Sequence, residues 1–374
     1  MTKKILVKCY LKNNLGDDLF LLILAQRYPD TNFEVFVDPE FKKAYNNISN
    51  VKVITKGIFF RAINRFTKIF LKGGIYSLLS YRYHAIVEIG GSIFPERPEH
   101  SGVDLERKYL ASKFEHYFVI GSNFGPFHSN DFFESYHDFF NQIEGSVFRD
   151  KKTFSLFSDL GNVEYAPDVV FTMKPVENII THMVLSKRKY VAVSVIDLSM
   201  TDASRDEGLS SLALEYEAVV KQALMKLIVQ KYAIKFVPFS NNQNDFVISK
   251  KIATQVKSVF PEADIEILNT TDNMKKVECI KNSSLLISTR YHSMILGWLF
   301  GIKQWVLSYS DKTEQVVQDI FKEQYYTNLL ILSNEKVEFD ENKMNTIDDV
   351  TPISKIAEKQ FYFLDRYMKL HGKG

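Results

Sequence analysis

Cysteine is nearly absent: only Cys9 and Cys279 occur in 374 residues. Two thiols so far apart supply neither a disulfide framework nor a metal-ligand spacing, and the expectation is a reducing, cytoplasmic setting. Long hydrophobic runs are missing as well. The longest, around Leu19 to Ala25, falls well short of the roughly 20 apolar residues that span a bilayer, so any membrane association is expected to be peripheral. The opening Met-Thr-Lys-Lys-Ile-Leu-Val-Lys-Cys is basic, but its apolar run is too short for a signal peptide and reads as a first strand. Charge of one sign is also lacking, with 47 Lys+Arg against 45 Asp+Glu and a formal charge of +2, which gives no reason to expect nucleic acid as a partner. Neither a Gly-x-Gly-x-x-Gly fingerprint nor a Walker loop is present, and the eight histidines form no His-Glu-x-x-His or clustered ligand set, so no metal site is expected.

What is present is a normal globular composition, 45% hydrophobic and 25% charged, on a chain too long for one ordinary core. No solenoid-period repeat or low-complexity segment stands out. Strand-like runs alternate with helical ones throughout, the pattern of a parallel α/β sheet. Strands are expected near Ile5–Lys8, Phe33–Val37, Val51–Ile54, Ala85–Ile89, Tyr117–Ile120 and Val147–Arg149, and again near Val191–Val195, Ile234–Val237, Ile265–Ile267, Leu285–Ile287 and Trp305–Leu307. Met173-Lys174-Pro175 breaks the pattern between the two sets. The reading is two doubly wound, Rossmann-like lobes, residues 1–175 and 186–345, facing a central cleft, with a last helix at 351–370 whose own pattern does not assign it to a lobe and for which only analogy with other two-lobed folds suggests a crossing back onto the first.

The most informative stretch is Ser283 to Lys312. Leu285-Leu286-Ile287 reads as a buried parallel strand, Met294, Ile295, Trp298 and Leu299 repeat at helical spacing, Gly301 ends the helix, and Trp305-Val306-Leu307 forms the next strand. Ser288 and Thr289 sit where an N-cap is expected, which puts Arg290 and His292 in the first helical turn at the carboxyl edge of the sheet. Ligands bind at that edge in open α/β sheets. Unpaired N–H groups and the positive end of the helix dipole favour an anion there, Arg290 adds a planar fork suited to phosphate or carboxylate, and His292 can move a proton near neutral pH. The same residues also fit a plainer arrangement, with Arg290 paired to a carboxylate and His292 packed in the core.

Other turns share the strand-end position. Asn13-Asn14-Leu15-Gly16-Asp17-Asp18 follows the first strand; Gly16 permits a tight turn, and the two carboxylates either cap a helix or accept a proton from a hydroxyl, Asp17 being the better candidate. Gly90-Gly91-Ser92 and Gly121-Ser122-Asn123-Phe124-Gly125-Pro126 follow two more strands, where glycine lets a ligand approach the backbone. Pro238-Phe239-Ser240 leads through a polar loop to Asp245 at the start of a helix, which fits a ligand-lining role or ordinary loop polarity equally well. Between Ile58 and Lys72, Arg61, Arg65, Lys68 and Lys72 line one helical face, and Phe59, Ile63, Phe66 and Phe70 make another stripe, with Gly73-Gly74 as a stop. Such a face is usually solvated, but it also suits an anionic membrane surface.

Ser288-Thr289-Arg290-Tyr291-His292, then Gly301, then Tyr309 and Lys312, resembles the Ser-x-Arg-x-His, Gly, Tyr-x-x-Lys signature of the polysaccharide pyruvyl transferase family. The family's Asn-x-Gly-Asp, Gly-Gly, Gly-Pro, Arg-Asp and Pro-Asp elements match, in order, Asn14 to Asp17, Gly90-Gly91, Gly125-Pro126, Arg149-Asp150 and Pro167-Asp168. Two departures are visible: Ser92 stands where a third small glycine is frequent, and the strand at Val191 lacks a following arginine until Arg205. Arg149 and Arg205 are therefore the two candidates to assist Arg290. The resemblance implies a GT-B-like pair of lobes and transfer of the pyruvyl group of phosphoenolpyruvate to two hydroxyls of a sugar, giving a cyclic ketal and phosphate, with no cofactor beyond that donor. It implies His292 and Asp17 as catalytic groups. It implies Arg290, Lys312, Arg149, Ser288, Asn14, Gly16, Gly90, Gly91, Ser92 and Gly125 as substrate-binding positions, and a lipid-linked sugar acceptor met at the inner face of a membrane. A nucleotide-sugar glycosyltransferase and a non-catalytic sugar-binding module are the alternatives.

Overall fold

The computed structural model describes residues 4–71, 74–97, 102–174, 189–200, 207–335 and 337–371. Two compact units divide the chain: Met1–Lys12, Asp17–Thr172 and Ile353–Gly374 make the first, Asn13–Gly16 and Met173–Pro352 the second. Each is built on one parallel sheet, so the fold is α/β with two Rossmann-like units.

In the first unit β1 (Lys4–Lys8), β2 (Asn32–Val37), β3 (Val51–Thr55), β4 (Ala85–Ile89), β5 (Tyr117–Ser122), β6 (Gly145–Phe148) and β7 (Val163–Tyr165) line up in the order β3-β2-β1-β4-β5-β6-β7. The central strands β4 and β5 are buried along their whole length, as runs such as Ala-Ile-Val-Glu-Ile require when helices cover both faces. The chain reverses its direction of travel between β1 and β4, which makes their carboxyl ends a switch point. In the second unit β8 (Tyr190–Ser194), β9 (Ala233–Phe236), β10 (Ile265–Ile267), β11 (Leu285–Ser288), β12 (Gln304–Ser308) and β13 (Tyr326–Asn328) lie in the order β10-β9-β8-β11-β12-β13, with the switch between β8 and β11. Val191, Val193, Ile287, Trp305 and Leu307 build its core. The indoles are satisfied there: Trp305 Nε1 donates to Thr327 at 2.9 Å and Trp298 Nε1 to Gln324 at 2.7 Å.

Two strands escape the sequence pattern. Both β7 and β13 are three-residue edge strands, Val-Glu-Tyr and Tyr-Thr-Asn, bonded on one side only and too short to show a period. The strand expected to include Arg149 stops at Phe148. From Ile353 onward the chain packs with the first unit. Gln360, fully buried, accepts from Gly121 N–H at 2.9 Å and donates to the carbonyls of Ala166 at 2.7 Å and Pro167 at 3.0 Å. Arg27 binds Asp365 through Nε at 3.1 Å and Nη2 at 2.7 Å.

A charged group lies inside the first unit's core. Arg107 binds Glu88 with Nε at 2.9 Å and Nη2 at 2.7 Å, while the Tyr117 hydroxyl donates to the same carboxylate at 2.5 Å. Burial alone would push the Glu88 carboxyl up, but the adjoining Arg107 guanidinium outweighs it and holds the group at about 2. A carboxyl lowered in the folded state stabilises fully above its ordinary value and loses that contribution as pH falls towards the folded value. Glu88→Gln therefore strands a buried guanidinium and should cost about 3–5 kcal/mol in chemical denaturation. The wild type should lose stability between pH 4.5 and about 2, and the variant's curve should be flatter over that window.

Candidate functional site

The carboxyl ends of β8, β11 and β12 carry the residues singled out from the sequence. Thr289 still belongs to the ladder, its N–H bonded to Ser194 O at 2.9 Å. Its hydroxyl shares a 2.9 Å hydrogen bond with Tyr216, and Ser288 Oγ donates to Arg290 O at 3.2 Å. Neither hydroxyl caps the helix that follows, whose N-cap position makes no side-chain capping hydrogen bond. The helix runs Tyr291–Leu299 with Arg290 as its N-cap residue, one to two positions later than the Ser-Thr pair suggests. The expectation of Arg290 in the first turn is corrected accordingly: its backbone is extended and His292 is the second helical residue.

Arg290 is buried, and its guanidinium faces the loop after β9. Nε donates to Asp245 Oδ2 at 2.9 Å, Nη2 reaches Asp245 Oδ1, and Nη1 reaches the Gln243 side-chain oxygen. Asp245 is fully buried and also accepts the N–H groups of Phe239 and Ser240, each at 3.0 Å. Burial opposes the charge on Arg290, yet the Asp245 carboxylate more than offsets it and raises the guanidinium's pKa. Tyr309, just beyond β12, lies close enough to Arg290 to add to that effect. Of the five N–H groups of a guanidinium, three are engaged by Asp245 and Gln243.

Asn13–Gly16 belongs to this same unit. Asn14 forms an antiparallel bridge with Ser240, and Leu15 N–H donates to Phe239 O at 3.0 Å. The segment thereby brings Gly16 against His292. A Cβ on Gly16 would fall 1.9 Å from His292 Nδ1, so a hydrogen is all the imidazole leaves room for. The structure thus gathers Asn14, Gly16, Asp245, Ser288, Arg290 and His292 into one unit. Lys312 sits half-buried in the first turn of the helix Asp311–Ile320, which opens at the carboxyl end of β12 beside them. The pairing with Asp245 was not legible beforehand; a carboxylate at a helix start is explained by the dipole alone.

The remaining candidates lie in the first unit. Asp17 is half-buried in the first turn of the helix Leu15–Arg27, and Asp18 beside it accepts a 2.6 Å bond from the Tyr45 hydroxyl. Gly91, Ser92 and Arg149 meet at the ends of β4 and β6. Arg149 binds Asp168 at 3.0 Å, Asn123 at 2.8 Å and Ser92 at 3.3 Å. A Cβ on Gly91 would come within 2.5 Å of Arg149 Nη1, so the second glycine serves the close approach of that guanidinium. Gly90 N–H bonds Ile120 O at 3.2 Å, and Gly125 has φ +96, a conformation that favours glycine. Arg205 lies outside the described residues, as do Lys72, Gly73 and Pro175. Among the described residues, no three His, Cys, Asp or Glu side chains are placed to hold a metal, and no helix is long and apolar enough to cross a membrane.

Solved structures share the fold at low identity. MnaA of S. aureus, crystallised with UDP, superposes with a TM-score of 0.60 at 10% identity over 100% of this chain and 98% of its own. HepE of Anabaena, bound to UDP and glucose, gives 0.56 at 11% over 100% of both chains. A putative UDP-N-acetylglucosamine 2-epimerase from Listeria monocytogenes gives 0.56 at 7% over 100% of this chain and 98% of its own. These likenesses agree with a GT-B-like pair of Rossmann lobes and extend to fold alone. The family model for polysaccharide pyruvyl transferases matches residues 14–311, from the turn at Asn14 to the helix start before Lys312, and the chain belongs to that family.

Proposed function

We propose that the chain transfers the pyruvyl group of phosphoenolpyruvate to two hydroxyls of a sugar in a polysaccharide precursor, forming a cyclic ketal and releasing phosphate. The observation that carries this reading is the meeting of Asn14-x-Gly16 with Ser288-x-Arg290-x-His292 around Asp245 within one unit. Family membership supports a transferase of polysaccharide synthesis; the donor and the ketal chemistry are the proposed part.

Each residue then has a definite task. Asp245 fixes the guanidinium plane and cancels its charge, so the two N–H groups of Arg290 that Asp245 and Gln243 do not take serve as oriented donors to the ligand. Positive potential for a phosphate and a carboxylate comes from the N-terminus of the Tyr291–Leu299 helix, and Lys312 is assigned as a further donor to the same ligand. Protonated His292 gives its proton to the methylene carbon, which leaves the adjacent carbon open to attack by the first hydroxyl. The now neutral imidazole takes that hydroxyl's proton and is restored to its starting state. The carbon–phosphate ester bond then breaks, the second hydroxyl adds to the same carbon, and its proton leaves with phosphate. One hydroxyl proton ends in the new methyl group and the other on phosphate, so the step balances.

The UDP held by MnaA and HepE favours one other reading on this fold, a glycosyltransferase using a nucleotide sugar. Thermal stabilisation by phosphoenolpyruvate, with none by UDP-sugars, is the expected result, and the reverse order would overturn the proposal. In an assay of phosphate release with a panel of sugar acceptors, His292→Ala should lower turnover by about 10²–10⁴ while phosphoenolpyruvate binding changes little. Retention of near-normal turnover would remove His292 from the mechanism. Gly16→Ala displaces the imidazole without deleting it and should lower turnover at least about tenfold, with stabilisation by the donor preserved. Lys312→Ala should chiefly raise the KM for phosphoenolpyruvate, a cleaner probe of donor binding than Arg290→Ala, which also strips Asp245 of its buried partner.

A further inference from the structure

The helix Ile58–Phe70 in the first unit turns its apolar side outward. Ile58 and Phe59 are each 85% exposed, Phe66 64%, Ile69 71%, Phe70 72% and Ile63 49%. At about 100° per residue these six, with Ala62 among them, fill a continuous arc of about 140° that contains no polar side chain. The face turned to the protein is a different one, made of Phe60, Asn64 and Thr67, with Phe60 packed 5.1 Å from Phe36 and the Asn64 side chain accepting from Ile75 N–H at 2.9 Å. The third face carries Arg61, Arg65 and Lys68, all exposed. No acidic residue occurs in the helix.

An amphipathic helix on a globular unit normally buries its apolar stripe and shows its charges. Here the stripe faces out, beside a row of cations, which is the distribution of a helix lying in the plane of a bilayer interface. From this geometry we infer that the Ile58–Phe70 helix seats the chain on an anionic lipid surface, with the aromatic arc in the headgroup and acyl boundary and the cations against lipid phosphates. Charge complementarity selects this occupant over a neutral apolar partner. The cations have countercharges on the protein, Arg61 with Asp38 at 3.1 Å and Lys68 with Glu106 at 3.6 Å. The cation of each pair is exposed, and Glu106 keeps Lys8 at 3.2 Å as a second partner, so Arg61 and Lys68 can turn to lipid phosphate at small cost. The inference does not rest on the proposed reaction; it concerns where the chain works.

Sedimentation of the full chain with vesicles tests it. The wild type should pellet with phosphatidylcholine vesicles containing phosphatidylglycerol, and far less with phosphatidylcholine alone or at high salt. The triple variant Arg61→Gln/Arg65→Gln/Lys68→Gln and the triple variant Phe59→Ser/Phe66→Ser/Phe70→Ser should each bind at least about tenfold more weakly, with unchanged melting temperature because the side chains are exposed. On the wild type itself, amide exchange across residues 58–70 should slow when anionic vesicles are added, a readout that does not depend on variants folding. A wild type that stays in the supernatant, unchanged exchange, or undiminished binding by either triple variant would overturn the inference. So would a dimer in sedimentation velocity that the Phe variant dissolves, since the arc would then belong to a second copy.

Discussion

The second unit is organised around a single carboxylate. Asp245, itself fully buried, accepts two backbone N–H groups of the loop after β9 and grips Arg290 at the end of β11 through both carboxylate oxygens. A buried ion pair of this kind adds little net stability, but removing one partner is costly, so the geometry it imposes is hard to relax. The loop, the start of the helix that follows it and the turn into Tyr291–Leu299 therefore behave as one piece. Asn14 and Leu15 bond to that same loop, which carries the Gly16 turn into place beside the His292 imidazole. In the proposed reaction, a proton donor and an anion cradle are held at fixed spacing by this frame.

The first unit repeats the device. Arg149 is paired with Asp168 across the ends of β6 and β7, and Arg107 with Glu88 beneath the end of β4. In each case a guanidinium near the carboxyl edge is neutralised by a carboxylate and used for its rigid pattern of donors. Such pairs orient without adding net charge. On the proposed reading, the field that favours an anion is supplied instead by helix N-termini such as that of Tyr291–Leu299.

Much of this was legible from the chain, and what was not has physical reasons. Runs such as Leu285-Leu286-Ile287 and Ala85-Ile86-Val87 can only be buried parallel strands in this alternating pattern, so the two sheets and their central strands follow directly. The edge strands β7 and β13 carry no such signal, because three residues bonded on one side need no apolar run. Ser288 and Thr289 have the residue types of caps, but the Thr289 N–H is still bonded to Ser194 O in the sheet and the helix begins only after Arg290. The partnership of Arg290 with Asp245 joins residues 45 apart in sequence, and periodicity holds no record of such a contact. The stripe of Phe59, Ile63, Phe66 and Phe70 was equally visible, but a period gives the faces of a helix and not which of them meets the protein.

The tail that closes the first unit has a bearing on how the molecule is made. Gln360 supplies the acceptor for Gly121 N–H and the donor for the carbonyls of Ala166 and Pro167, and so ties together groups at the ends of β5 and β7. During translation that side chain emerges only after the whole of the second unit, so the part of the protein synthesised first is the part completed last. Until then the nascent first unit holds an open seam in its core, and the second unit, with nearly all its residues in one continuous stretch, can settle ahead of it.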